Sequence, residues 1–249
     1  MNTRTLSLDH LVIAARTLDE GAQFIATTLG ATPVAGGAHP LMRTHNRLLN
    51  LWGGTYLEVI AIDPDASGAP AQPRARWFAL DDPATRARLE RGPYLAHWVA
   101  RVERPRSLAR WQAQYPERIA PIVPMTRGEF AWSLCVPQDG AFPSWHGAGD
   151  GLMPTLIQWD TPRHPAAQLP PTGLRLASLN GWHPRADELR AQLDWLGVSP
   201  LIRLEATDGE PMLAAEIEIS MSGETRTLSS AAPGEFSATP HGAAQREPS

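Results

Sequence analysis

The chain has 249 residues, 43% of them apolar and 19% charged, a balance that can bury one sizeable core or two closely packed ones. A net charge of −4 supplies no electrostatic reason to expect nucleic acid or an anionic membrane as partner, and no apolar stretch is long enough to span a bilayer. Cys135 is the single cysteine, which excludes an intrachain disulfide; its place in a strand-like run, Ala131 to Val136, reads as inert core. Met1 to Thr5 lead into a strand-like run with no apolar signal core, which points to the cytoplasm.

In chain order, alternation from Leu8 to Ala14 predicts a strand with Leu8, His10, Val12 and Ala14 on one face. Thr17 or Asp19 caps the helix that follows; Phe24, Ile25 and Leu29 fall at helical spacing, and Gly30 is a stop. A short strand or turn runs from Pro33 to Gly37, then a polar loop from His39 to Asn46. Arg47 to Trp52 and Thr55 to Ile62 read as strands joined by the turn Gly53-Gly54. After a Pro-, Ala- and Arg-rich connection over 63–90 with a short helix, the pattern begins again. Tyr94 to Val102 is a strand, Ser107 to Tyr115 a helix, and Ile122 to Met125, Glu129 to Val136 and Met153 to Trp159 are strands. The loop from Pro137 to Gly151 is placed to cover a pocket.

A third, divergent copy, a βαββ module over 173–230, starts with a strand from Leu174 to Leu179. A helix from Pro184 to Leu196 follows, then strands over Leu201 to Glu205, Pro211 to Ser220 and Glu224 to Ser229. Residues 232–249 are small and polar and read as a disordered tail. An order recurring three times is an internal repeat, and it constrains the fold more than any one segment does.

Polar residues interrupt the apolar strand faces at matching places. His10 shares a face with Leu8 and Val12, and Glu58 shares one with Tyr56, Ile60 and Ile62. A carboxylate on such a face is expensive to bury unless it is paired, protonated or bound to a metal. The second copy puts His97 between Leu95 and Val99, and Gln158 in period with Leu156. Plainer readings stand beside the functional one: a satisfied core histidine at His10, an ion pair from Glu58 to Arg43 or Arg47, packing of His97, and a substrate hydrogen bond from Gln158. His164 before Pro165 and His183 before Pro184 read as loop and cap residues.

Leu8-Asp9-His10-Leu11-Val12-Ile13-Ala14, Tyr56-Leu57-Glu58-Val59-Ile60, Ala96-His97-Trp98-Val99 and Leu156-Ile157-Gln158-Trp159 together resemble the vicinal-oxygen-chelate superfamily. Gly36-Gly37-Ala38-His39-Pro40, Thr44-His45-Asn46 and Ile157-Gln158-Trp159-Asp160 with His164-Pro165 bring the likeness closer to glyoxalase-like domain proteins, over residues 6–165. The resemblance implies an α+β fold: repeated βαβββ modules, over 6–62 and 93–165, pair into a cupped mixed sheet with helices outside. It also implies that His10, Glu58, His97 and Gln158 meet in the cup as ligands of a divalent metal (Zn, Ni, Mn or Fe(II)) that chelates vicinal substrate oxygens.

Glu58 would then be the catalytic carboxylate, because the amide of Gln158 cannot abstract a proton. His39, Thr44, Asn46 and Trp159 would bind a small-molecule substrate. Isomerase, lyase and dioxygenase chemistries stay open, as does a metal-free drug-binding protein of the bleomycin-resistance type. No Gly-rich phosphate loop follows a strand, so no nucleotide cofactor is expected, and the tryptophans do not alternate with basic residues as in a nucleic-acid platform. An odd third module leaves sheet edges, which makes a homodimer an option.

Overall fold

Apolar alternation is broken by almost nothing from Ser7 to Ala14, and that run forms β1 (Ser7–Ala14), buried along nearly its whole length at the centre of a sheet. The computed structural model describes residues 6–66 and 74–231. The Thr17 hydroxyl accepts the backbone N–H of Glu20 and so starts α1 (Leu18–Leu29), which Gly30 closes in the left-handed conformation. Three strands follow, β2 (Val34–His39), β3 (Thr44–Leu51) and β4 (Thr55–Ile62). β4 returns parallel to β1, with β3 and β2 added antiparallel outside it.

A short helix, α2 (Pro83–Leu89), capped by the Asp82 carboxylate, leads to the second module. This repeats the plan with β5 (Tyr94–Arg101), α3 (Leu108–Gln114), β6 (Ile122–Arg127), β7 (Phe130–Cys135) and β8 (Thr155–Trp159). β5 and β8 are parallel, and β1 pairs with β5 antiparallel. The result is one eight-stranded sheet in the order β2-β3-β4-β1-β5-β8-β7-β6. It curls into a cup until its two edge strands approach each other. Arg127, the last residue of β6, reaches His39 of β2 and Asn46 of β3.

The concave face carries Val12, Ile60, Val99, Leu134 and Ile157 among aromatic rings. The convex face carries Leu11, Leu57, Val59 and Trp98, under α1 and α3.

The third segment comprises β9 (Leu174–His183), α4 (Ala186–Leu196), β10 (Arg203–Ala206), β11 (Met212–Ile219) and β12 (Glu224–Ser229). Its element order repeats the first two modules, but its pairing does not. There the first strand lies parallel to the last; here β9 lies parallel to β10, directly after α4, in a separate sheet ordered β10-β9-β11-β12. Leu179, Leu193, Leu213, Ile217 and Leu228 join Leu11, Leu57 and Trp98 in one apolar cluster. This segment therefore covers the convex face of the cup.

Two expectations change. The polar loop expected from His39 to Asn46 shrinks to a turn over 40–43, because His39 ends β2 and Thr44 to Asn46 begin β3. Polar side chains that point inward there hide the alternation that marks a strand. β9 runs on to His183, past the expected end at Leu179. The tail over 232–249 lies outside the described residues. Among those residues no helix is long and apolar enough to cross a membrane.

Gly21 lies where α1 presses on β4, and a Cβ there would sit 2.3 Å from Val59 Cγ1 and 2.9 Å from the Ala15 Cβ. Gly21→Ala gains up to about 1 kcal/mol of helix propensity and loses about 1–3 kcal/mol to overpacking. The expected net outcome is a lower urea midpoint; an unchanged or raised midpoint would show that α1 can ride off the sheet.

Candidate functional site

β1 and β4 lie parallel in a register that pairs His10 with Tyr56 and Val12 with Glu58. That puts His10 and Glu58 side by side on the concave face, with the imidazole stacked on Tyr56 at 4.7 Å between ring centroids. The β1–β5 register slips between Leu8 and His10. Asp9 lies at this slip, and its carboxylate turns toward its neighbour's ring instead of following the outward parity of Leu11. Asp9 is fully buried; its oxygens accept His10 Nδ1–H at 2.7 Å, Trp159 Nε1–H at 2.9 Å and His164 Nε2–H at 3.0 Å. The Arg101 guanidinium stands 3.5 Å away.

These contacts decide the charges. Burial by itself would raise the Asp9 pKa, but the bonds from His10 and His164 hold it well below the ordinary carboxylate range. Burial would make the His10 imidazole neutral; Asp9 and Glu58 outweigh it and push the pKa up to about 9. Glu58 is likewise buried, yet His10 and the Asn46 amide bring its pKa down to about 2. At neutral pH the three form a buried chain of carboxylate, imidazolium and carboxylate. His10 Nε2 is 3.4 Å from Glu58 Oε2, but the alignment is poor, and this buried nitrogen has no hydrogen-bond partner.

The chain continues across the cup. Asn46 Nδ2 donates to Glu58 Oε1 at 2.5 Å, while Asn46 Oδ1 accepts Gly37 N–H at 2.9 Å and Arg127 at 3.1 Å. His39 lies against the same groups: Nδ1 bonds the Thr44 hydroxyl at 3.1 Å, and Nε2 faces Arg127 at 3.3 Å. Since Nε2 faces a donor, it accepts, which fixes a neutral ring with its proton on Nδ1. Burial, assisted by the Arg127 charge and opposed by Glu58, lowers its pKa to about 4. Gly36 and Gly37 are needed for this approach. A Cβ at Gly36 would stand 2.0 Å from Asn46 Oδ1, and one at Gly37 would stand 2.8 Å from Arg127 Cδ.

His10, Glu58, His39, Asn46, Arg127 and Trp159 surround a cavity of about 30 Å³, enough for one water. Trp77 and Trp132 supply apolar wall. A second pocket of about 230 Å³ shares His39 and Trp132 with it and opens between the Pro40–Leu41 turn and β6.

Of the residues singled out in the sequence, His10, Glu58, His39, Asn46 and Trp159 meet at this cavity. Thr44 stands behind His39. His97 and Gln158 do not join them. The β1–β5 register sets His97 opposite Val12, not His10, and its ring packs against Phe78 and Phe142. Its Nδ1–H donates to Gly151 O at 2.9 Å, and its Nε2 accepts Thr155 N–H at 3.1 Å. Burial lowers its pKa to about 3, so the ring is neutral and both nitrogens are committed. On β8, Ile157 and Trp159 face the cavity, and Gln158 faces the other way. Its Oε1 accepts Leu108 N–H at the start of α3, and its Nε2 donates to the carbonyls of Val102 and Arg106. Glu58 pairs with neither arginine considered for it: Arg43 bonds the Arg74 carbonyl, and Arg47 pairs with Asp19.

A divalent metal does not fit this donor set. His10 and Glu58 remain as two ligands where such sites use three or four, and a guanidinium already lies against His39 and Asn46. Among the described residues no group of three or more His, Cys, Asp or Glu could hold a metal ion. Asp9 and Arg127 escaped the sequence reading; His164, read there as a loop and cap residue, accepts Ala166 N–H as a cap and also bonds Asp9. Arg127 had a signal, its parity with Val123 and Met125; Asp9 had the opposite parity from His10.

Two outcomes follow from this geometry. Gln158→Leu orphans three buried backbone groups and is expected to lower stability by about 1–3 kcal/mol without altering ligand affinity at the cup; a calorimetric titration that showed lost affinity would return Gln158 to the site. Stability is expected to peak near pH 6.5. Below the ordinary histidine pKa of 6.5 the unfolded chain takes up protons that folded His39 and His97 refuse, which costs up to about 1.4 kcal/mol per pH unit for each group. Above 6.5 folded His10 keeps its proton while the unfolded chain releases it, so its contribution is lost as pH rises through about 9. Guanidinium denaturation at several pH values checks this, and a stability that stayed level between about pH 7.5 and 9 instead of falling would mean a neutral His10.

The sequence matches the family model described as a glyoxalase-like domain over residues 8–197. Among solved structures, a hypothetical protein from Staphylococcus aureus aligns with 84% of this chain and 81% of its own, at 14% identity and a TM-score of 0.51. Methylmalonyl-CoA epimerase from Mycobacterium tuberculosis covers 64% of this chain and 91% of its own, at 16% identity and a TM-score of 0.37. A variant of the Streptomyces coelicolor methylmalonyl-CoA epimerase, in complex with 2-nitronate-propionyl-CoA, covers 65% of this chain and 100% of its own, at 15% identity and a TM-score of 0.39. No curated protein matches the sequence.

Proposed function

The chain belongs to the glyoxalase-like domain family of the vicinal-oxygen-chelate superfamily, and on that footing we propose that its cup is the active site of a proton-transfer enzyme acting on a small carbonyl compound. The family supplies a vicinal-oxygen-chelate enzyme or binding protein. The observation that carries this reading is the buried His10 Nε2, without a hydrogen-bond partner and 3.4 Å from Glu58 Oε2.

An acid and a base at that spacing serve the two ends of an enolisation. A substrate carbonyl oxygen would accept His10 Nε2–H. Glu58 would take the proton from the adjacent carbon as the C–H electron pair moves into the enolate, whose oxygen the imidazolium stabilises. Return of the proton to the other face gives epimerisation, and return to the neighbouring carbon gives isomerisation. Glu58 is a weak base while His10 faces it. A carbonyl that draws Nε2–H away removes the interaction that lowers its pKa, so the base strengthens when the site fills. Asp9 would hold the Nδ1 proton and thereby keep Nε2 directed into the cup. No step is routed through a metal, because His97 and Gln158 are bonded elsewhere.

Binding without turnover is the second reading, favoured by the tryptophan walls. Exchange at the carbon next to the carbonyl separates the two. The chelator-treated protein is incubated in D₂O with a panel of small keto and hydroxy-carbonyl compounds, and deuterium uptake is followed by proton NMR. Uptake is expected for wild type and should fall about 10²–10⁴-fold in Glu58→Gln. Uptake that required added metal would overturn the mechanism, and bound ligand without uptake would leave the binding protein.

A further inference from the structure

Arg127 is the cationic group in the cup that the proton-transfer scheme leaves unused. It ends β6, and its guanidinium carbon stands 5.9 Å from the Trp132 ring centre. Its NH1 contacts Asn46 Oδ1 and His39 Nε2, both neutral acceptors. No carboxylate lies within ion-pair distance of it among the described residues. The nearby carboxylates are engaged otherwise: Glu58 with His10 and Asn46, Asp9 with His10, His164 and Arg101. A half-buried guanidinium without a counter-charge is unfavourable unless something anionic is to arrive. The chain also gives up side chains to place it, since a Cβ on Gly37 would collide with its stem.

From this placement we infer that Arg127 anchors a carboxylate of the ligand, so that the cup takes a small carbonyl or hydroxy acid with its carboxylate next to the oxygen bound by His10. Arg127 and His10 line the same cavity, so both can face one small ligand, whose other atoms reach toward the adjoining pocket of about 230 Å³ that shares His39 and Trp132. The guanidinium fork matches the planar carboxylate. His10 offsets the charge of Glu58, so the anion meets a net attraction. This inference deepens the reading of the cup as a ligand site, but it does not need turnover.

Glycolate is the probe, with neutral glycolamide as its near-isostere and inorganic phosphate as the tetrahedral anion. Affinities are measured by NMR titration on wild type, Arg127→Lys, Arg127→Gln and Glu58→Gln, and the melting temperature is recorded for each. Wild type is expected to prefer glycolate to glycolamide by at least about tenfold, as the loss of one charge-assisted bond implies. The preference should weaken with added salt, shrink in Arg127→Lys and vanish in Arg127→Gln. Glu58→Gln should retain it even where deuterium uptake is lost, which tells a failed mechanism from a failed anion site. A merely structural latch predicts a lower melting temperature in Arg127→Gln with the glycolate preference intact, and that result overturns the proposal. Tighter binding of phosphate than of glycolate overturns the carboxylate assignment.

Discussion

Asp9 has no contact with solvent, and an isolated carboxylate in such a place would be too costly to keep ionised. Its three donors, His10, Trp159 and His164, come from β1, β8 and the chain just beyond β8. The two modules are thus tied at their junction by a charge that each must help to satisfy. Because Asp9 is ionised, His10 stays protonated, and because His10 is protonated, Glu58 stays ionised. Asn46 then orients toward Glu58 and passes its oxygen to Arg127 at the far edge. Removing one member would leave a buried charge without its counterpart, which is far more disruptive than the net worth of the intact set suggests.

The two modules are built alike but do not work alike. His10 opens the first and His97 the second. The first presents a bare ring nitrogen to the cavity; the second closes both nitrogens on Gly151 and Thr155. Trp98 Nε1 bonds Leu152 O beside it. The opening strand of the second module therefore fastens the loop before β8, where that of the first leaves His10 Nε2 open to the cavity. Gln158 similarly secures the turn into α3. What the second module gives the cup is Arg127, Trp132 and Trp159. The third segment, bound to the convex face by Leu213, Ile217 and their neighbours, backs the sheet and leaves the mouth between the Pro40–Leu41 turn and β6 open.

Period-two alternation told where β1 and β4 lie and that His10 and Glu58 point inward, because side-chain direction in a regular strand follows from residue parity alone. The repeated strand-helix-strand order, with the likeness of its motifs to a known family, was enough for the paired modules and the cup. The same reasoning could not place Asp9, since a register slip turns a residue off its parity and nothing local announces it, and it could not tell that the strand pairing sets His97 opposite Val12 and not opposite His10. It read the end of β2 and the start of β3 as loop, because His39, Thr44 and Asn46 are polar and point inward. Parity grouped Gln158 with Leu156 but could not say which face is the cup. Arg127 meets His39 across 88 positions of sequence, and only the curl of the eight-stranded sheet brings those edges together. The sequence by itself determined the strands and their inward faces, which are local properties; the tertiary structure decided which polar groups share one cavity, because that depends on slips and curvature summed over the whole sheet.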